Sequence, residues 1–234
     1  MNAPLILFVI FPLAAYAVGA IPFGVIIGRL HGVDLRTVGS GNVGATNVGR
    51  VLGRRWGYLC FALDVAKGLI PTLLAGMWLR GAGMAPEYGQ QAAWLLVGLG
   101  AIMGHLFSFW LKFRGGKGVA TALGVVMGMY PYFTFAGLAA LAVWIIVTLA
   151  SRYVSLGSVV AAVAFVPLFT AFNWWRIQRL WPLGLFASAI AALILVRHRG
   201  NIRRLIAGTE SKIRRGKPPP GGPSEKGESA GSRT

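Results

Sequence analysis

Acidic residues are nearly missing from this chain: of 234 residues, six are Asp or Glu against 23 Lys and Arg, a formal charge of +17. Charged residues of both signs make up only 12%, while apolar residues reach 56% and mean hydropathy is +0.65. A water-soluble domain carries roughly 25% charge and could not hide so much apolar surface, so a soluble enzyme is excluded. Cysteine is reduced to Cys60, which excludes an intrachain disulfide and a Cys-based zinc site. Histidine is nearly as scarce. His31, His105 and His198 are followed five residues later by Arg36, Trp110 and Arg203, so no H-x-x-x-x-D acyltransferase signature exists. No Ser-His-Asp set and no metal-ligand cluster can be assembled. No repeat of fixed period is present, and the two halves are not alike.

What the sequence has instead is long apolar stretches, over roughly 4–29, 56–79, 90–111, 119–130, 131–149, 156–173 and 180–196. A helix needs about 20 apolar residues to cross about 30 Å of hydrocarbon, and most of these reach that length. Tyr130-Pro131 interrupts the run from Val119 to Leu149, because Pro removes a donor and clashes with the preceding turn. Read through, that run gives six crossings; read as two, seven. Charge decides between them. With seven crossings and an outside N-terminus, one side keeps only Arg80, Arg176 and Arg179, Lys67 lies within a span, and every other Lys and Arg falls on the opposite side. That is the positive-inside pattern, whereas six crossings would turn the basic tail outward. The expectation is therefore an all-α polytopic membrane protein with seven spans and a cytoplasmic C-terminus, 119–130 being short enough to span only in part. The membrane domain is expected over 1–211. From 212 to 234 the Pro, Gly, Ser and charge-rich tail is expected to be disordered. The first segment lacks a basic n-region and its apolar run continues to Ile27, so it reads as a span and not a cleaved leader.

Topology and anionic lipid account for most of the positive charge, and the remainder is available to an anionic ligand. Nucleic acid is the weaker reading, since the basic residues sit between spans. Four polar segments fall on the basic side. The first is Gly39-Ser40-Gly41-Asn42-Val43-Gly44-Ala45-Thr46-Asn47-Val48-Gly49-Arg50. No strand precedes its G-x-G-x-x-G, so it is not a dinucleotide fingerprint. Its glycines nevertheless let N–H groups turn inward around an anion, with short donors from Ser40, Asn42 and Thr46 and a planar fork from Arg50. The second, Gly115-Gly116-Lys117-Gly118, is not a Walker A motif, but it offers N–H groups and an ammonium at a helix start. Lys112 and Arg114 read as headgroup anchors, and His105 as a packed histidine. The third is Ser151-Arg152-Tyr153-Val154-Ser155-Leu156-Gly157-Ser158. In the fourth, His198 and Asn201 stand three apart, sharing a face if the last helix continues. Asp64 and Lys67, also three apart, read as a structural ion pair near the cytoplasmic boundary.

At these residues the sequence resembles the bacterial acyl-phosphate:glycerol-3-phosphate acyltransferase family, the PlsY-like enzymes. The segments 39–50, 115–121, 151–158 and H-R-G-N-I-x-R-L-x-x-G-T-E at 198–210 are similar to its motifs in order and spacing, over about residues 4–212. The resemblance implies seven spans, and acyl transfer from acyl phosphate to the 1-hydroxyl of glycerol-3-phosphate. The products would be 1-acylglycerol-3-phosphate and inorganic phosphate, in the first step of phospholipid synthesis. It also implies that Ser40, Asn42 and Thr46 cradle the acyl-phosphate headgroup. Arg50, Lys117 and Ser155 would bind glycerol phosphate or stabilise the leaving group, and His198 and Asn201 would complete the pocket. Gly41, Asn47 and Gly116 are expected among the binding residues, with Arg50, Lys117, His198 and Asn201 as the catalytic set. With no carboxylate counted in these motifs, the proton acceptor is His198 or a substrate phosphate, and the resemblance favours the phosphate. No metal or cofactor is expected, because acyl phosphate carries its own good leaving group. Expected partners are the two phosphate substrates, membrane lipid, and in transient contact the soluble enzyme that makes acyl phosphate. The bacterial inner membrane is the expected location, with the site facing the cytoplasm. A transporter of organic phosphates and a membrane scaffold for lipid enzymes remain the rival classes; a transporter would show related halves and mid-membrane interruptions.

Overall fold

The computed structural model describes residues 5–81 and 88–213, and among these it contains helices and no strand. A π-helical turn, Ile6–Ile10, leads into α1 (Phe11–Gly19) and α2 (Phe23–Leu30). A short α3 (Ala45–Val51) precedes the long α4 (Arg54–Gly81). Then follow α5 (Tyr88–Leu106), α6 (Val119–Gly128), α7 (Thr134–Ser151) and α8 (Val154–Phe172). The series ends with α9 (Trp181–Arg197) and α10 (Arg199–Ile206).

Five stretches are long and apolar enough to cross a membrane: Ile6–Leu30, Arg54–Gly81, Tyr88–Leu111, Thr134–Ser151 and Val154–Phe172. A sixth reaches that length only if α9 and α10 are taken together across a 59° bend. The short helix expected over 119–130 is α6, whose 10 residues rise only about 15 Å, half the hydrocarbon thickness. What α6 lacks in length it gains in packing. A methyl group on Gly68 of α4 would overlap the Thr121 carbonyl, and one on Gly124 of α6 would overlap the Val65 carbonyl. Small residues thus bring the two backbones into contact, the usual basis of helix association where no hydrophobic drive exists. Pro131 lies in the break between α6 and α7, as its missing donor requires.

The first apolar stretch is long and apolar enough to span, as expected, but it is not one continuous helix. It breaks over Ala20-Ile21-Pro22, where Pro22 cannot donate. Backbone groups freed at membrane depth need partners, and two side chains supply them. Nζ of Lys67 donates to the Ile21 carbonyl at 2.8 Å, and Oγ of Ser108 donates to the Ala20 carbonyl.

The apolar core lies among α4 to α9, where Phe133 packs edge-on against Phe165 and Phe169. Trp174 and Trp175 between α8 and α9, Trp181 at the start of α9, and Phe109 and Trp110 beyond α5 are exposed, as in aromatic belts. Lys212 and Ile213, expected in a loose tail, are held: the Ile213 amide donates to the Arg152 carbonyl at 2.8 Å, and the Lys212 ammonium lies over the Tyr153 ring. The rest of the expected tail, 214–234, lies outside the described residues.

Candidate active site

The first polar loop folds on itself before it can meet a ligand. Gly39 and Gly41 take positive φ, +63° and +67°, conformations that side chains disfavour. Oδ1 of Asn47 accepts from the Ser40 amide at 2.8 Å, while its Nδ2 donates to the carbonyls of Leu35 and Val38, both at 3.1 Å. Asn47 is 1% exposed, and with these three bonds it braces the loop. Oδ1 of Asn42 accepts from the Gly44 amide at 2.9 Å, an Asx turn that leads into α3. Ser40, Gly41, Thr46 and Arg50 remain exposed, with Thr46 and Arg50 one turn apart on α3.

The second loop departs further from expectation. The Gly115 amide donates to the Leu106 carbonyl at 3.0 Å and the Gly116 amide to the His105 carbonyl at 3.3 Å. These N–H groups bond to the end of α5, and Gly116 packs closely against the His105 ring. Their own carbonyls accept from Arg197, at 3.2 Å for Gly115 and 2.7 Å for Gly116.

Lys117 follows directly, and its Nζ donates to Oδ1 of Asn201 at 2.7 Å. Asn201 passes the polarity on: its Nδ2 donates to Oε1 of Glu210 at 2.7 Å, and Oγ of Ser155 donates to the same oxygen at 2.9 Å. Nε of Arg204 holds the other carboxylate oxygen at 2.7 Å. A carboxylate therefore sits inside the site, correcting the expectation that the motifs supply none. Burial alone would raise the Glu210 carboxyl, but hydrogen bonds from Asn201, Arg204 and Ser155 outweigh it and hold the group below its ordinary value. Burial has the largest influence on Lys117. Glu210 opposes it, Arg204, Arg50 and Arg197 add to it, and the ammonium is pushed down to about 8. Val43 and Gly116 line the same small cavity.

His198 and Asn201 do not share a continuing helix. The chain bends by 59° between α9 and α10, with His198 at the corner, where its amide still bonds to the Ile194 carbonyl. Both residues stay buried, and the Ile202 amide donates to the His198 carbonyl at 2.8 Å, so the first turn of α10 carries the pair. Nδ1 of His198 lies 2.8 Å from the Ile194 carbonyl, which fixes that nitrogen as the protonated one. Burial, opposed by this bond and assisted by Lys117, pushes the imidazole down to about 4, so it is neutral at physiological pH.

Asp64 and Lys67 form the expected ion pair, 2.8 Å apart and almost wholly buried. His105 joins them, with Nδ1 3.7 Å from Oδ1 of Asp64. Beside the site, a cavity of about 80 Å³ runs between α4 and α6 to α9, lined by Val119, Ala122, Trp144, Ser158, Phe165 and Ile194 among others. Among the described residues no group of three or more His, Cys, Asp or Glu could hold a metal.

The glycerol-3-phosphate acyltransferase family profile matches residues 9–208, across the first three polar segments and most of the fourth. The chain belongs to that family. A glycerol-3-phosphate acyltransferase of Trichlorobacter lovleyi is 47% identical over 200 residues, 86% of this chain and 94% of that protein. Its counterpart in Aquifex aeolicus is 44% identical over 204 residues, 85% of this chain and 95% of the other. The crystal structure of PlsY, an integral membrane glycerol 3-phosphate acyltransferase, in its glycerol 3-phosphate form superposes with a TM-score of 0.75 at 41% identity. That match covers 88% of this chain and 94% of PlsY. The lysophosphatidic acid form of PlsY matches with a TM-score of 0.73. Within this acyltransferase framework, two residues that sequence reasoning passed over stand in the site. Glu210 closes the fourth motif and was legible there; Arg197 carried no signal, being one more basic residue at a helix end.

Proposed function

We propose that this acyltransferase moves an acyl chain from acyl phosphate to the 1-hydroxyl of glycerol-3-phosphate, releasing inorganic phosphate and 1-acylglycerol-3-phosphate. The observation that carries this reading is the chain Lys117–Asn201–Glu210–Ser155, beside an apolar cavity whose lining includes Val119, two residues after Lys117. Both substrates bear phosphate, and Lys117 and Arg50 supply an ammonium and a fork for their oxygens. Ser40 and Thr46, exposed on the first loop, and the half-buried Asn42 serve as donors to the acyl-phosphate headgroup. The acyl tail lies in the cavity between α6, α7, α8 and α9.

In the step itself, the 1-hydroxyl oxygen bonds to the acyl carbon and the carbon–oxygen bond to phosphate breaks. The hydroxyl proton passes to a phosphate oxygen. His198, neutral and tied through Nδ1 to Ile194, orients and does not accept. Glu210 is occupied by three donors, so it organises Ser155 and Asn201 and is not the base. Catalysis then consists of positioning and of charge placed where the leaving phosphate develops it. We further propose seven crossings, with α6 as the short one, α9 as the last, and the site on the cytoplasmic face. The distribution of Lys and Arg supports that orientation.

The test is turnover by pure protein in lipid. Acyl phosphate with glycerol-3-phosphate is expected to yield 1-acylglycerol-3-phosphate and phosphate in equal amounts. Acylation from acyl-CoA or acyl-carrier protein at a comparable rate would overturn the donor assignment.

A further inference from the structure

Beneath Lys117 lies a buried polar cluster that the transfer chemistry does not use. Asp64 and Lys67 on α4 pair at 2.8 Å, Lys67 also reaches the broken first span at the Ile21 carbonyl, and His105 on α5 stands next to Asp64. Three separate helical stretches meet there, at a cost in desolvated charge that a merely apolar contact would avoid. Nδ1 of His105 is buried without a hydrogen-bond partner. The ring's other nitrogen meets the glycine loop: a methyl group on Gly116 would overlap Nε2, and one on Gly115 would overlap the His105 carbonyl. Arg197 donates to both glycine carbonyls. The two residues ahead of Lys117 are thus held by a histidine ring and a guanidinium, with no room for a side chain.

We propose that His105, backed by the Asp64–Lys67 pair, is a positioning residue that acts through Gly115 and Gly116 to hold Lys117 at the phosphate site. A lysine stem has four rotatable carbons, so where its ammonium sits depends on where its backbone is fixed. Asn201 fixes the far end of that stem at 2.7 Å; the histidine seat fixes the near end. Loss of the seat lets Lys117 drift from Asn201 and from the phosphate, and a displacement of about 1 Å at a catalytic group costs on the order of 10²-fold in rate. The reading of the site as a phosphate site underlies this inference.

The test compares His105→Ala, His105→Gln and Gly116→Ala with the wild-type protein in detergent. It follows thermal unfolding, glycerol-3-phosphate binding by calorimetry, and kcat/KM against pH. His105→Ala is expected to fold, to bind glycerol-3-phosphate at least tenfold more weakly, and to move the alkaline limb that Lys117 sets near 8. His105→Gln, which keeps a polar atom at the same reach, is expected to recover most of both. Gly116→Ala pushes the loop off the ring and is expected to reproduce His105→Ala, so the inference stays testable if His105→Ala does not fold. Folded variants with unmoved binding and an unmoved limb would overturn it, as would a loss of thermal stability alone. Should the wild-type protein fail to use acyl phosphate, the donor assignment falls, while the binding measurements still decide the role of His105.

Discussion

Nζ of Lys117 and Oδ1 of Asn201 meet at 2.7 Å although 84 residues separate them. The contact ties the glycine loop after α5 to α10, and through Asn201 it reaches Glu210 and Ser155. It gathers three of the four polar segments around one ammonium, whose protonation should therefore be visible in the rate.

Lys117 titrates near 8, below an ordinary lysine, because burial disfavours its charge. A lowered lysine pKa means that the cation is present below that pH and lost above it. kcat/KM for glycerol-3-phosphate is expected to fall as pH rises through about 8, since that ratio reports groups of the free enzyme. Lys117→Arg keeps the charge and should remove this alkaline limb, at a lower rate because a fork does not replace a point charge. Lys117→Ala and Arg50→Ala should each cost about 10²–10³-fold, the usual loss for a donor to developing charge. An unchanged limb in Lys117→Arg would assign it elsewhere.

His198 is neutral down to about 4, whereas a phosphate monoester takes up its proton near pH 6. If substrate phosphate accepts the proton, the acid limb of the rate should lie near 6 in the wild-type protein and stay there in His198→Gln. If His198 is the base, the limb should lie near 4 in the wild-type protein, and Gln should cost about 10²–10⁴-fold. A folded His198→Gln protein that binds glycerol-3-phosphate but is inactive at every pH would reject the substrate-assisted route.

Glu210 holds its proton more weakly than an ordinary glutamate, through the donors Asn201, Arg204 and Ser155. A depressed carboxyl contributes stability that is present above its ordinary pKa and lost as pH falls through the folded value. Glu210→Gln should therefore unfold at a lower temperature than wild type at pH 7. The gap should close as pH drops below the ordinary glutamate value of about 4.3. A gap that persists at low pH would mean that the loss is steric and not electrostatic.

Orientation is open to chemical labelling. In a Cys60→Ala background, single cysteines at Trp174 and Gln178 should react with an impermeant thiol reagent added outside intact cells. Cysteines at Thr37 and Thr209 should react only after permeabilisation. Labelling of Thr209 from outside would place the fourth segment on the wrong face and separate it from any cytoplasmic substrate.

Much of this was legible in the chain. Apolar runs give the helices because a backbone in hydrocarbon must satisfy its own polar groups, whatever the neighbours. The buried pairing of Asp64 with Lys67 could be read from their spacing, since an unpaired charge there would be prohibitive. Arg50, Lys117, His198 and Asn201 stood out as polar and basic residues beside glycines. Less visible was what each polar atom is already bonded to. The Asn47 side chain and the Gly115 and Gly116 amides look like ligand donors in sequence, and in the fold they donate to the carbonyls of Leu35 and Val38, of Leu106 and of His105.

Composition and periodicity determined the membrane class, the basic face and the candidate residues, because burial in lipid and charge placement act on each segment separately. Only the tertiary structure decided that the first span breaks at Pro22 and that the chain bends at His198. It alone brought Arg197 into the site and showed which donors hold Glu210 there. These depend on which distant carbonyl or side chain is within about 3 Å, the reach of a hydrogen bond, and no local pattern encodes a partner more than 80 residues away.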